Sequence, residues 1–190
     1  MMARFYAVHR SYCISYPNMR NKLVKKIILA VILPLFATWS SICVSDTCYT
    51  VEGEVKTVNI SQTTQIGSIN ILLLDEYDNE AFRETGGLVG NITGGDYFTT
   101  YLSHSAQFGD GSTFVTSDDK AAVTGIRKLA ESGTPCSFFI HEEITNIVQG
   151  TGFFANVTNA EIHADGYISA CIADGENENE FELTGQLCVD

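Results

Sequence analysis

From residue 49 onward, apolar and polar positions alternate with a period of two. Tyr49, Val51, Gly53 and Val55 interleave with Thr50, Glu52 and Glu54, the pattern of a strand with one wet face. Residues 66–74 are denser in apolar side chains (Ile66, Ile69, Ile71, Leu72, Leu73, Leu74) and predict a strand with little water on either face. Asp75-Glu76-Tyr77-Asp78-Asn79 is a turn by composition. Residues 81–92 carry Gly86, Gly87 and Gly90, which suits a bent or bulged strand. Gly94-Gly95-Asp96 turns the chain into 97–108, and Gly109-Asp110-Gly111 turns it into 112–116. A long strand is expected over 136–148, broken by Gly150-Thr151-Gly152 and followed by 153–171 with a kink near Gly166. After the acidic turn at 174–179, Phe181, Leu183, Gly185, Leu187 and Val189 alternate with Glu182, Thr184 and Gln186 in a last strand. Only 118–132 is ambiguous. Asp118-Asp119-Lys120-Ala121-Ala122 reads either as a short helix with a capping Asp or as an irregular strand and loop, ended by Gly133-Thr134-Pro135. About eight strands joined by Gly-rich turns predict an all-β fold, a closed antiparallel β-barrel or a β-sandwich.

The first 45 residues break this pattern. They hold Arg4, Arg10, Arg20, Lys22, Lys25 and Lys26 and no acid. The apolar run Ile27–Ala37 follows the lysines, and small polar residues follow the run. Cationic, apolar, then small is the layout of a secretory signal, with the cut expected after Ser45. The run is interrupted by Pro34, Thr38, Ser40 and Ser41, short of the roughly 20 apolar residues a stable span needs. Met19-Arg20-Asn21-Lys22 supplies a natural start for such a signal. The expected organisation is therefore an upstream extension over 1–18, a signal peptide over 19–45 and one exported domain over 46–190. That domain holds five basic residues against all 23 acids, a net charge of −18. Such a charge repels phosphate backbones and anionic lipid, so nucleic acid is not an expected partner, nor is the membrane after signal cleavage.

Export changes how the cysteines are read. Cys48, Cys136, Cys171 and Cys188 remain after cleavage, an even number that predicts two disulfides. Cys171 and Cys188 fall near opposite ends of one hairpin, some five or six residues or about 17–20 Å apart, too far for a bridge. The hairpin turning at 150–152 instead brings Cys136 to Cys171. Cys48 is left for Cys188, joining first strand to last. If the terminal strands pair, the sheet closes on itself, which favours the barrel.

Candidate chemistry centres on Glu142. Phe138, Ile140, Ile144 and Val148 share its strand parity, so a carboxylate stands in an apolar row. If the row faces the interior, Glu142 has a raised pKa and can act as acid, base or ligand anchor. An outward-facing row, or a bulge near His141, would remove that role. His141, Glu143 and Thr145 occupy the opposite row, and Glu161, His163 and Asp165 line one face of the next strand; an exposed polar face accounts for these better than a metal site. The turn at 174–180 lacks the ligand order of a calcium loop. No nucleophile motif, phosphate loop or dinucleotide fingerprint occurs, and no cofactor or metal is implied. His104, within Ser103-His104-Ser105, is assigned a structural role.

The segment Gly150-Thr151-Gly152-Phe153-Phe154-Ala155-Asn156-Val157, a strand, and then Phe181-Glu182-Leu183-Thr184-Gly185 resembles the barrel superfamily of allene oxide cyclases and plant dirigent proteins. The resemblance implies an eight-stranded antiparallel barrel with an apolar cavity, and a homo-oligomer among its expected states. The leading expectation is non-enzymatic binding of a small hydrophobic ligand lined by Phe138, Ile140, Ile144 and Phe153. The alternatives are an isomerase or cyclase using Glu142, and a structural surface or matrix protein with a filled barrel.

Overall fold

The computed structural model describes residues 46–96 and 99–190. The expected signal peptide and upstream extension lie outside these residues. Ten strands follow in order: β1 (Thr47–Asn59), β2 (Thr64–Leu74), β3 (Glu80–Gly95), β4 (Thr100–Phe108), β5 (Thr113–Thr116), β6 (Asp119–Leu129), β7 (Pro135–Ile144), β8 (Ile147–Thr151), β9 (Val157–Ser169) and β10 (Glu178–Val189). The only helical pieces among the described residues are two single 3₁₀ turns, Gly152–Phe154 and Ile172–Asp174. The ambiguous segment at 118–132 is thus mostly strand.

All pairings are antiparallel, within one sheet. The order β3-β2-β1-β10-β9-β7-β6-β4 is closed by a further β3–β4 pairing, so eight strands form a ring, with β5 and β8 extending from β4. The closure rests on β1 pairing β10 from Thr47↔Val189 to Val58↔Glu178. Cys48 stands opposite Cys188 and is bonded to it, and Cys136 is bonded to Cys171. Both bridges are those expected from the strand map.

Alternation sorts side chains between the two faces. Val51 and Val55, Ile69, Ile71 and Leu73, Ile162 and Ala164, and Phe181, Leu183 and Leu187 are buried and pack together. On β2, Leu72 and Leu74 are half-buried and Ile66 is exposed, so this strand too has an inner and an outer face, unlike the two-sided burial its composition predicts.

The expected strand over 136–148 is interrupted at Thr145 and Asn146. The register nevertheless continues: Thr116 faces Ile147 and Lys120 faces Glu143. What changes is the parity. Phe114 and Thr116 point inward before the break on one strand, Asp119 and Ala121 after it; on the other, Glu142 and Ile144 point inward before it, and Ile147 after. Asp118 takes up the reversal with φ 60°, and Ser117 is tied across to Asn146 by N–H to O (3.1 Å) and by Oγ accepting from Nδ2 (2.9 Å). Positive φ is tolerated by Asp better than by most residues. Val148 therefore leaves the inward row it was assigned to and is 54% exposed.

Candidate functional site

The interior has two dissimilar ends. At one, the 3₁₀ turn after β8 delivers Phe154, 1% exposed, into rings from Phe82, Phe108 and Phe114 at centroid distances of 5.3–5.4 Å. Phe153 packs beside it against Tyr49 (5.4 Å) and Phe82 (4.8 Å). The two glycines before them make the turn feasible. Gly152 has φ +59°, and a Cβ there would sit 2.2 Å from Ser112 Oγ. At the other end, buried Asn179 donates from Nδ2 to Thr57 Oγ1, Asn59 Oδ1 and Gln65 Oε1, and accepts from the Ser169 N–H. Between these ends lies a void of about 50 Å³, walled by apolar side chains such as Val55, Ile69, Phe114, Ile144 and Leu183, with His104, Thr116 and Glu142 on its wall.

The polar part of that wall is built by the parity reversal. Because Thr116 and Asp119 both point inward across the bend, Thr116 Oγ1 donates a short hydrogen bond to Asp119 Oδ2. The neighbouring strand supplies His104, whose backbone N–H donates to Thr116 Oγ1 at 2.9 Å. Its ring Nδ1 lies 2.9 Å from Asp119 Oδ2 and 3.4 Å from Glu142 Oε1. The ring has room because Gly90 faces it across the β3–β4 ladder: a Cβ on Gly90 would approach Cδ2 and Nε2 to 3.0 Å. Asp119 is fully buried and Glu142 is 5% exposed. Asp119 Oδ1 and Glu142 Oε1 have no hydrogen-bond partner.

Burial dominates the electrostatics. It pushes the Glu142 carboxyl up; His104 pulls it back and Asp119 pushes it further up. For His104, burial acts to strip the ring of its proton, but the Asp119 hydrogen bond and the charges of Glu142 and Asp119 outweigh it, so its pKa lies above the ordinary value of 6.5. Four of the domain's five basic side chains pair with other acids: Lys56 with Glu54 and Glu180, Arg83 with Glu80, and Arg127 and Lys128 with Glu176.

Of the residues singled out in the sequence, Glu142 is buried in the interior, in the row with Ile140 and Ile144. Ile144 borders the void with it; Phe138, Ile140 and Phe153 pack in or against the core but are not part of its lining. Phe139, in the opposite row, is 46% exposed. His141 and Asp165 do meet on the outer face, Nδ1 to Oδ1 at 2.7 Å, and His163 stacks on His141 at 5.5 Å. The sequence pattern did not group Glu142 with His104 and Asp119, which act on it, or with Thr116, which holds both of them. His104 shares parity with buried Leu102, Ala106 and Phe108, a signal that was present. Thr116 and Asp119 carried no such signal, since their joint inward placement depends on the bend.

A larger open groove, about 1020 Å³, crosses the outer face past Val58, Ile66, Val89 and Tyr167. Its titratable side chains, Lys56, Tyr167, Glu178 and Glu180, include an ion pair between Lys56 and Glu180 (3.2 Å) and a hydrogen bond donated by the Tyr167 hydroxyl to Glu180 (3.2 Å). Compared with family models, with curated proteins and with solved structures, the chain matches none.

Proposed function

We propose that residues 46–190 form a closed, exported, disulfide-stapled β-barrel that binds a small ligand at His104, Asp119 and Glu142. The ring of eight paired strands supports the barrel, and the two disulfides support an oxidising compartment. Among the described residues no helix is long and apolar enough to cross a membrane. The turn at Gly150–Phe154 and the eight-strand closure are what a barrel of the allene oxide cyclase and dirigent kind requires.

The observation that carries the reading is the buried polar set itself. Most of the interior is filled by side chains, as a purely structural barrel would have it. Such a barrel gains nothing from three titratable groups at its centre, since the effective penalty for burying an ion is several kcal/mol and apolar replacements commonly stabilise. The buried set supports a functional reading over a purely structural one. The void also limits size. About 50 Å³ is well below the roughly 150 Å³ that admits a benzene-sized guest. The ligand is a slender or few-atom molecule contacting apolar walls and one polar point.

Native mass spectrometry of the protein released by its own host tests this. A retained small mass, lost in Glu142→Gln, is the expected result; a ligand-free spectrum from freshly isolated material would overturn it. A second reading, proton-transfer catalysis of the isomerase kind, is favoured by the raised pKa of Glu142 beside an apolar wall. It separates from binding because Glu142→Asp would then lower turnover far more than ligand retention.

A further inference from the structure

We infer that His104, Asp119 and Glu142 form the protein half of a mononuclear site for a first-row divalent transition-metal ion, facing the interior void. The inference rests on the reading that this polar set is the functional centre, and it names the ligand class; it does not need an organic ligand.

Three observations converge. One imidazole nitrogen and one oxygen from each carboxylate all lie within 4.8 Å of one another. Ions of this class hold nitrogen and oxygen ligands at about 2.0–2.2 Å, so two ligands of one ion stand up to roughly 4.3 Å apart. His104 Nδ1 already lies within that limit of Asp119 Oδ2 (2.9 Å) and of Glu142 Oε1 (3.4 Å). Next, Asp119 Oδ1 and Glu142 Oε1 are both buried acceptors with no hydrogen-bond partner. Buried polar atoms in folded proteins are nearly always satisfied, and an ion is one of the recognised reasons for exceptions. Last is the charge. Once the imidazole gives up its proton to bind an ion, the two carboxylates are two negative charges in an apolar interior, and among the described residues the charged groups acting on Glu142 are His104 and Asp119. A dication neutralises the set without help from lysine or arginine.

The surroundings suit an ion-binding set. Thr116 fixes the Asp119 carboxylate through Oδ2 and is itself fixed by the His104 N–H, so the partner shell is tied to backbone. Of the three residues, His104 and Glu142 border the void, and three protein ligands would leave a position open toward it, the arrangement of sites that bind water or a substrate rather than closed structural ones. A mixed nitrogen and oxygen donor set suits zinc, manganese or iron(II) better than a thiolate-seeking ion.

Calorimetric titration of the full, disulfide-intact chain with Zn²⁺ provides the test. One ion per chain is expected, with affinity reduced more than ~100-fold in Glu142→Gln and roughly 10–100-fold in Thr116→Val, while His141→Ala with His163→Ala leaves it unchanged. Loss of binding in the outer-face double variant with retention in Glu142→Gln would overturn the inference, as would no saturable binding. X-ray absorption on the zinc-loaded unaltered protein decides the matter without any variant. One coordinated imidazole supports the interior site; two, or none, overturns it. Zinc binding with no organic mass retained removes the apolar-ligand reading alone, and a retained organic mass without zinc binding removes only this inference.

Discussion

At the residue scale, Glu142 and His104 set a direction for pH dependence. Both folded-state pKa values lie above the ordinary ones. The folded, metal-free protein therefore binds more protons than the unfolded chain over that range. The associated stability is complete below about 4.3 for the carboxyl and about 6.5 for the imidazole, and is lost as pH rises through the raised values. With a chelator present, the melting temperature of the unaltered protein should fall, relative to Glu142→Gln, which lacks the carboxyl's share, as pH rises above the ordinary carboxyl value of about 4.3. Scanning calorimetry of the two proteins across pH checks this; a constant gap would show that Glu142 does not titrate in that way. Gly90 gives a second prediction at this scale. Gly90→Ala places a methyl 3.0 Å from His104 Cδ2 and Nε2, so the ring must give way. We expect a loss of roughly 1–3 kcal/mol by urea titration, with changed imidazole nitrogen resonances at His104.

At the scale of the element, the turn from β8 to β9 anchors the aromatic end. Phe154→Ala removes a ring that touches four others and should destabilise by roughly 3–5 kcal/mol, read from the denaturant midpoint at constant slope. Strands were the most legible level of the sequence, because alternation requires only that one face be buried. The row Phe138, Ile140, Glu142 and Ile144 follows its expected parity, and so do both disulfides, whose pairing needed only strand lengths and order. The row fails at Val148 for a physical reason. Local alternation carries no record of a reversal that depends on Asp118 entering positive φ while Asn146 bonds to Ser117 across the ladder. That same reversal turns Asp119 inward. The site was thus half visible: the strand that donates Glu142 is regular, and the one that donates Asp119 is not. His104 was within reach of the pattern, but Ser103 and Ser105 beside it gave the stretch a mixed appearance.

At the scale of the whole molecule, the ring depends on joining the two ends of the domain. β1 and β10 lie as far apart in sequence as any two strands here, and their seam carries the Cys48–Cys188 bridge across a separation of 140 residues, against 35 for Cys136–Cys171. In the chain-entropy account these loops correspond to about 5 and about 4 kcal/mol, acting by restricting the unfolded chain. The seam itself is paired along the length of β1, so the folded ring keeps its hydrogen bonds when the sulfur link is removed. Replacing Cys48 and Cys188 by Ala should therefore lower stability more than replacing Cys136 and Cys171, and chiefly by slowing folding, since loop closure must precede the long-range pairing that rewards it. Stopped-flow refolding and unfolding of the two double variants separates the rates. Slower refolding with a nearly unchanged unfolding rate is expected for the seam pair. A faster unfolding rate as the main effect would mean that the bridge holds the folded seam together, and that the strand pairing alone does not keep the ring closed.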